Sequence, residues 1–463
     1  MEMRSNATIC VLRQKKGSNN FNRERVYKQT DRKALNIDVK QGVTSLFCDK
    51  NLHSNNIDQE IITENGFTRC SDLLVCKLCS TIRYIPHFCF YQCSAIRMVT
   101  LSSKLLSLPD YCFYGCKSLT TIQNLDKIQK FGCRCFFGCK SLKSFSVPLK
   151  VTSLPENCFS HCESLSSVVL HDNVTNIEYG CFFGCKSLTT ISVPLKVISL
   201  PLKVTSLPEN CFSHCESLSS VVLHDNITEI GNKCFDECKS LSSFSVPCKV
   251  TSLSKWVFHK CIKLSNFVLH DSISEICEGC FSFSQALTTF DAPRSITSLP
   301  SWCFNGCSFL KSVKLHDGIT EIGSSCFADC SSLTSFTIPP RVEVLPFWCF
   351  HKCELLNNID MHENVREIQY GCFSFCVSLK KIIIPNKVKI LQEKCLTECC
   401  ELSCVLFQEG EIEEIQNECF SKCTSLKRIL IPRSVKFIGK DALPDETLMF
   451  FSSTLNLSAK IAK

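Results

Sequence analysis

The chain has 463 residues, of which 44% are hydrophobic and 21% charged, with 38 cysteines and a formal net charge of +7. That apolar content excludes a disordered polyampholyte, and no run of 18 apolar residues exists to cross a membrane as a helix. A cysteine share of about 8% signals a disulfide scaffold only in a short secreted chain, which this is not.

The charge sits at the start. Residues 1–40 hold ten Lys or Arg against four Asp or Glu, so the remainder is close to neutral. Residues 1–42, rich also in Asn, Gln and Ser, read as a basic, disordered arm that could contact an anionic surface. The first residues lack the apolar stretch of a signal peptide, which points to a cytoplasmic protein, with the cell surface by a non-classical route as the alternative. Residues 43–65 read as a transition and N-terminal cap.

A repeat fills residues 66–443. The pair Cys-Phe recurs every 23 residues, at Cys89-Phe90, Cys112-Phe113, Cys135-Phe136, Cys158-Phe159 and Cys181-Phe182, then after a 30-residue step at Cys211-Phe212. The spacing resumes through Cys234, Val257, Cys280, Cys303, Cys326, Cys349, Cys372 and Cys395 to Cys419, giving fifteen clear units, with a degenerate first coil at Gly66-Phe67. A unit this short cannot bury its apolar side alone, so the units must stack into one array of about sixteen coils.

Within a unit, Leu165, Val168 and Leu170 space as L-x-x-L-x-L, and the alternation at their end predicts a short strand with one buried face. Cys158, Cys162 and Leu165, at i, i+4 and i+7, predict one face of a short helix. The fold class is therefore an α/β repeat solenoid, with a parallel β-sheet on one side and short helices or turns on the other.

These residues resemble the leucine-rich repeat of the BspA-like surface-antigen family, approximately A-F-x-x-C-x-x-L-x-x-I-x-I-P-x-x-V-x-x-I. Ile338-Pro339, Ile384-Pro385 and Ile431-Pro432 supply the I-P step and Val342, Val388 and Val435 the valine after it, with Cys in place of the first Ala. The Cys-Phe variant looks most like versions found in protists. The resemblance implies a noncatalytic, protein-binding or adhesive molecule, often at a cell surface. That is weaker information about function than about fold.

A 46-residue superperiod lies over the 23-residue one. Units carrying Pro with a basic residue, as at Pro148 and Lys150, alternate with units carrying His-Asp, as at His171-Asp172. The alternating charges read as register control. Residues 151–173 and 204–226 are identical, and the heptads 194–200 and 201–207 nearly so, which marks a recent duplication with a seven-residue insertion expected to loop out. Residues 444–463 form a C-terminal tail.

The cysteines admit three readings: buried thiols, metal ligands, and disulfides between adjacent coils. Fourteen of fifteen first positions and fourteen of fifteen second positions are Cys, with Val257 and Ser284 the exceptions. Valine cannot ligate a metal and either change would orphan a bonded partner, so packing is favoured. One C-x-x-x-C per unit, without a second knuckle, argues against zinc, and stacked coils lie close enough for disulfides only in an oxidising compartment. The histidines His171, His224, His270, His316 and His362 recur on alternate coils, too far apart to share a metal, and read as turn residues at strand ends. No cofactor and no catalytic residue are expected.

The outward strand positions form the candidate site: Ser144, Ser146, Thr190, Ser192, Ser243, Ser245, Ser312, Lys314, Ser335 and Thr337, becoming basic at Lys380, Lys381, Lys427 and Arg428. A long face of small hydroxyls suits a protein partner. It lacks the stacking aromatics that a carbohydrate or single-stranded nucleic acid requires, so no nucleic acid is expected.

Overall fold

The computed structural model describes residues 66–189 and 203–451 apart from residues 79, 81 and 411, and the backbone of the strands Ile9–Gln14, Glu24–Lys28, Val43–Cys48, Glu60–Ile61, Thr190–Ser192 and Lys460–Ile461. Two compact units divide the chain, Met1–Cys238 and Lys239–Lys463. The basic segment 1–42 lies outside the described residues except for its two strands, which pair antiparallel with each other, the first of them also with Val43–Cys48.

Each unit is a parallel β-solenoid. In the first, Ser144–Ser146 pairs with Ser167–Val169, and that strand with Thr190–Ser192, in unbroken 23-residue register. The alternation sets the faces: Phe145 is buried while Ser144 and Ser146 are exposed. Burying the apolar partner drives the strand down, and the hydroxyls stay in water. In the second unit Lys381–Ile384, paired with Cys404–Phe407, and Arg428–Ile431, paired with Leu448–Phe451, follow the same rule, whereas Leu448–Phe451 is exposed at all four residues.

A second ladder, not foreseen in the sequence, uses two-residue strands such as Ser153–Leu154 on Asn176–Ile177 and Val344–Leu345 on Glu367–Ile368. Its buried member is the closing Leu or Ile of the repeat.

The short helices do not form. The one helix among the described residues is a 3-10 turn at Leu125–Lys127, and the C-F-x-x-C segments are runs of turns. Their backbone amides alternate between two destinations. Cys158, Ser160 and Cys162 donate within the coil to the carbonyls of Pro155, Asn157 and Phe159, each at 3.2 Å. Asn157, Phe159 and His161 donate instead to Tyr179, Cys181 and Phe183 of the next coil, at 2.8, 2.9 and 2.6 Å. An α-helix needs every amide for its own i−4 carbonyl, so half of them serving the neighbour forbids it. The geometry requires left-handed backbone before each cysteine, as at Asn157 (φ 52°) and His161 (φ 58°), at roughly 1–2 kcal/mol per non-glycine residue. The i, i+4, i+7 spacing is real, and Cys158, Cys162 and Leu165 are all fully buried. A turn ladder generates it as well as a helix does.

The core is a set of columns. In the fifteen clear units both cysteine positions and the Phe after the first are fully buried, Val257, Ser284 and Leu396 included, whereas in the degenerate first coil Phe67 is buried and Cys70 half-buried. The Phe rings stack face to face, with Phe159 to Phe182 at 5.7 Å and 6° and Phe304 to Phe327 at 5.6 Å and 3°. The insertion leaves that stacking intact. Residues 193–202 lie outside the described residues, yet Phe182 stacks directly on Phe212 at 5.6 Å and 2°, and its N–H donates to the Cys211 carbonyl at 3.0 Å. At the end of the second unit Ala442 takes the register of the first cysteine, its carbonyl accepting from Phe420 at 2.8 Å.

Candidate protein-binding face

Alternation along the longer strands places the candidate residues. Ser144, Ser146, Ser245, Ser312, Lys314, Ser335 and Thr337 are exposed on their outward positions and Ser243 is half-buried. Thr190 and Ser192 lie on a described strand, but their side chains are outside the described residues. Register brings neighbours side by side: Thr337 beside Asp360, and Lys314 beside Asp291, whose carboxylate it meets at 3.9 Å.

The basic end is partly neutralised. Lys380 and Lys427 precede their strands and pair with Glu401 at 3.8 Å and Glu446 at 2.7 Å. The Lys427 ammonium, hydrogen-bonded to Glu446, holds that carboxyl below its usual range. Lys381 and Arg428 keep their charge free of ion pairs among the described residues. Beside them stand apolar side chains: Ile383 opposite Leu406 and Leu430 opposite Phe450, all on outward positions and 39 to 56% exposed. An outward row of this kind is legible where a strand reads continuously apolar, as Ile382-Ile383-Ile384 does.

The two cysteine positions differ in role. Thirteen of the fourteen second-position thiols donate to the carbonyl of the Phe, or Leu396, in the coil before, as Cys162 Sγ does to Phe136 at 3.2 Å and Cys330 to Phe304 at 3.2 Å. Ser284 keeps that bond through its hydroxyl, 2.8 Å from the Phe258 carbonyl. First positions need only bulk, which Val257 supplies. The 35 cysteines described are all free. Burial pushes up most of the repeat thiols, Cys139 and Cys303 well above the ordinary value and Cys162 to about 12, so these are poor nucleophiles and poor metal ligands. Among the described residues no group of three or more His, Cys, Asp or Glu could hold a metal ion.

In the 46-residue superperiod the histidines bond the backbone of the coil before. His171 Nε2 donates to the Pro148 carbonyl of the preceding coil at 2.8 Å, while its Nδ1 accepts from the Asn173 N–H at 3.2 Å. His316 and His362 repeat both bonds, to Pro293 and Pro339 and from Gly318 and Asn364. In His171, His316 and His362 both ring nitrogens are occupied by backbone, which leaves no free lone pair for chemistry, whereas at His270 Nε2 bonds the Pro247 carbonyl and Nδ1 is buried without a partner.

Aromatics absent from the strand face of the first unit line its turn side. They stand one residue before and two residues after the first cysteine, a recurrence visible in the sequence at Phe88, Tyr91, Tyr111, Tyr114 and Phe137.

The pattern of the family described as "BspA type leucine rich repeat region (6 copies)" matches in overlapping stretches from residues 40–162 to 349–458. A leucine-rich repeat protein of Bacteroides ovatus is 25% identical, with 81% of this chain and 94% of that one covered and a TM-score of 0.64. A leucine-rich cell surface protein of Faecalibacterium prausnitzii (20% identity, 92% and 89% covered) and the pneumococcal vaccine antigen PcpA (16%, 98% and 98%) superpose poorly, at TM-scores of 0.34 and 0.38. No curated relative matches the chain. Among the described residues no helix is long and apolar enough to cross a membrane. Repeat length, parallel register and the match along nearly the whole array place the chain in the BspA-type leucine-rich-repeat family.

Proposed function

We propose that the protein is a noncatalytic scaffold that holds a protein partner on the strand face. The observation that carries this reading is the registered row of outward side chains in the second unit, where unpaired Lys381 and Arg428 flank exposed Ile383, Leu406 and Leu430. Apolar anchors beside cations are what protein interfaces concentrate. Catalysis needs a unique polar constellation, whereas the cysteines and histidines of the repeat recur coil after coil. The test is a pull-down with the wild type and a Lys381→Glu, Arg428→Glu, Leu430→Ser variant. A partner retained by the first and lost by the second supports the reading; capture indifferent to changes along the whole strand face overturns it.

A second reading, a cell-surface adhesin for host or matrix proteins, draws on the surface-antigen character of the resembling family. Antibody labelling of unpermeabilised cells separates the two, since an absent surface signal ends the second. The basic segment 1–42 belongs to the same proposal as a contact for an anionic surface, which salt would weaken.

A further inference from the structure

We propose that the turn side of the first unit carries a binding site for a neutral carbohydrate, separate from the strand face. Two columns of side chains run there along the coils. One stacks Tyr91 on Tyr114 at 5.0 Å and Tyr114 on Phe137 at 4.6 Å, and continues through His161, edge-on to Phe137 at 5.1 Å and to Phe183 at 5.2 Å. The other stacks Phe88 on Tyr111 at 4.9 Å and then changes character to Arg134 and Asn157.

Between the two columns, from the rings of Phe88 and Tyr91 through Arg134 to Asn157 and His161, a cavity of about 590 Å³ opens. Its size falls in the range of small-ligand sites. Tyr111, Tyr114 and Phe137 wall one end and Tyr179 and Phe183 the other, with Arg134, Asn157 and Ser160 between.

Ser160 singles the cavity out. It is 1% exposed and its Oγ is buried without a hydrogen bond. Serine takes the same register at Ser213, Ser282 and Ser374, where the hydroxyl reaches Asp236 at 3.3 Å, the Asn305 carbonyl at 3.3 Å and the Gly371 carbonyl at 2.7 Å. A buried hydroxyl left unpaired is costly, and this one lines the cavity.

Charge selects the ligand. Arg134 is committed to Glu156 at 2.9 Å and to the Tyr111 hydroxyl at 3.1 Å, and Asn157 also donates to Glu156, at 3.0 Å. A phosphate or carboxylate would find its cation already taken, and a basic ligand would face the guanidinium. What remains is a set of neutral hydroxyl and amide groups between aromatic rings. A sugar ring satisfies both, setting its C–H face on a tyrosine or phenylalanine and its hydroxyls on Ser160, Asn157 and the remaining guanidinium N–H groups.

The experiment titrates the full chain with neutral tetrasaccharides of glucose, mannose, galactose and N-acetylglucosamine by calorimetry, beside a sialylated tetrasaccharide and a short single-stranded RNA. At least one neutral sugar is expected to bind, roughly tenfold more weakly to Phe137→Ser and about threefold more weakly to Ser160→Ala, with Ser213→Ala and the strand-face variant unchanged. Serine already occupies the register of Phe137 in other coils, so that variant is expected to keep the circular dichroism of the wild type; Ser160→Ala provides a second reading that leaves the rings in place. The proposal is overturned by no neutral sugar binding at millimolar concentration, by binding indifferent to both variants, or by preference for the sialylated sugar or the RNA.

Discussion

The strand side and the turn side of one coil are held by different bonds, and the difference decides what each can vary. On the strand side, backbone pairs with backbone, and the buried partner can be Phe145, Val168 or Ile382 with the ladder unchanged. The turn side is stricter. Two left-handed residues per coil, alternate amides aimed at the next coil and a thiol on a specific carbonyl must coincide. The left-handed side chains themselves vary freely, from Gly279 to Trp302, as do the residues two after the first cysteine, from Tyr114 to Ser160.

The largest test of the turn side is alkaline. Buried thiols are pushed up by desolvation from the ordinary value of 9.0, Cys162 to about 12 and Cys139 and Cys303 well above the ordinary value. Between pH 9 and 12 the unfolded chain has released protons that the folded one still holds, so stability falls as pH rises. Each such thiol contributes up to about 1.4 kcal/mol per pH unit, and with so many the fold is expected to be lost cooperatively above pH about 9. Circular dichroism against pH, in the presence of reductant, measures it; stability held flat to pH 11 would contradict burial of protonated thiols.

Next in size is the ring column. Phe327→Ala removes a fully buried ring stacked on Phe304 and Phe350, at an expected cost of about 3–5 kcal/mol in urea denaturation. A change on the outward strand face, Ser335→Ala, is expected within about 0.5 kcal/mol of the wild type.

The cysteine positions give a crossed comparison. Cys162→Val removes the donor to the Phe136 carbonyl and is expected to cost about 1–3 kcal/mol, while Cys162→Ser keeps it. At Cys158 the order reverses: valine fits, and serine buries a hydroxyl without a partner, again at about 1–3 kcal/mol. Equal costs at the two positions would erase the distinction.

Smallest of the turn-side losses is Gly279→Ala. The added carbon would stand 2.3 Å from the Trp256 ring at a φ of +64°, and the expected loss is about 1–2 kcal/mol in thermal melts. On a strand, Ser245→Ala adds no carbon and meets no such obstacle.

These contrasts explain what the sequence disclosed. The period, the buried positions and the outward strand residues are legible because stacking repeats one environment every 23 residues. The helix was misread because Cys158, Cys162 and Leu165 face the core whether amides bond within the coil or across it. Val257 and Ser284 together held the key to the cysteines: one position accepts an apolar residue and the other accepts a donor. The pairing of Lys427 with Glu446 stayed hidden, since a partner 19 residues away is set by the final coil rather than by the period.

The central claim is that the repeat cysteines act as protonated thiols, fillers at one position and hydrogen-bond donors at the other. Titrating free thiols in protein denatured without reductant tests it most directly. The account expects at least the 35 thiols of the described cysteines, out of 38 in the chain. A count near zero would mean disulfides in place of the thiol-to-carbonyl bonds, and would contradict it.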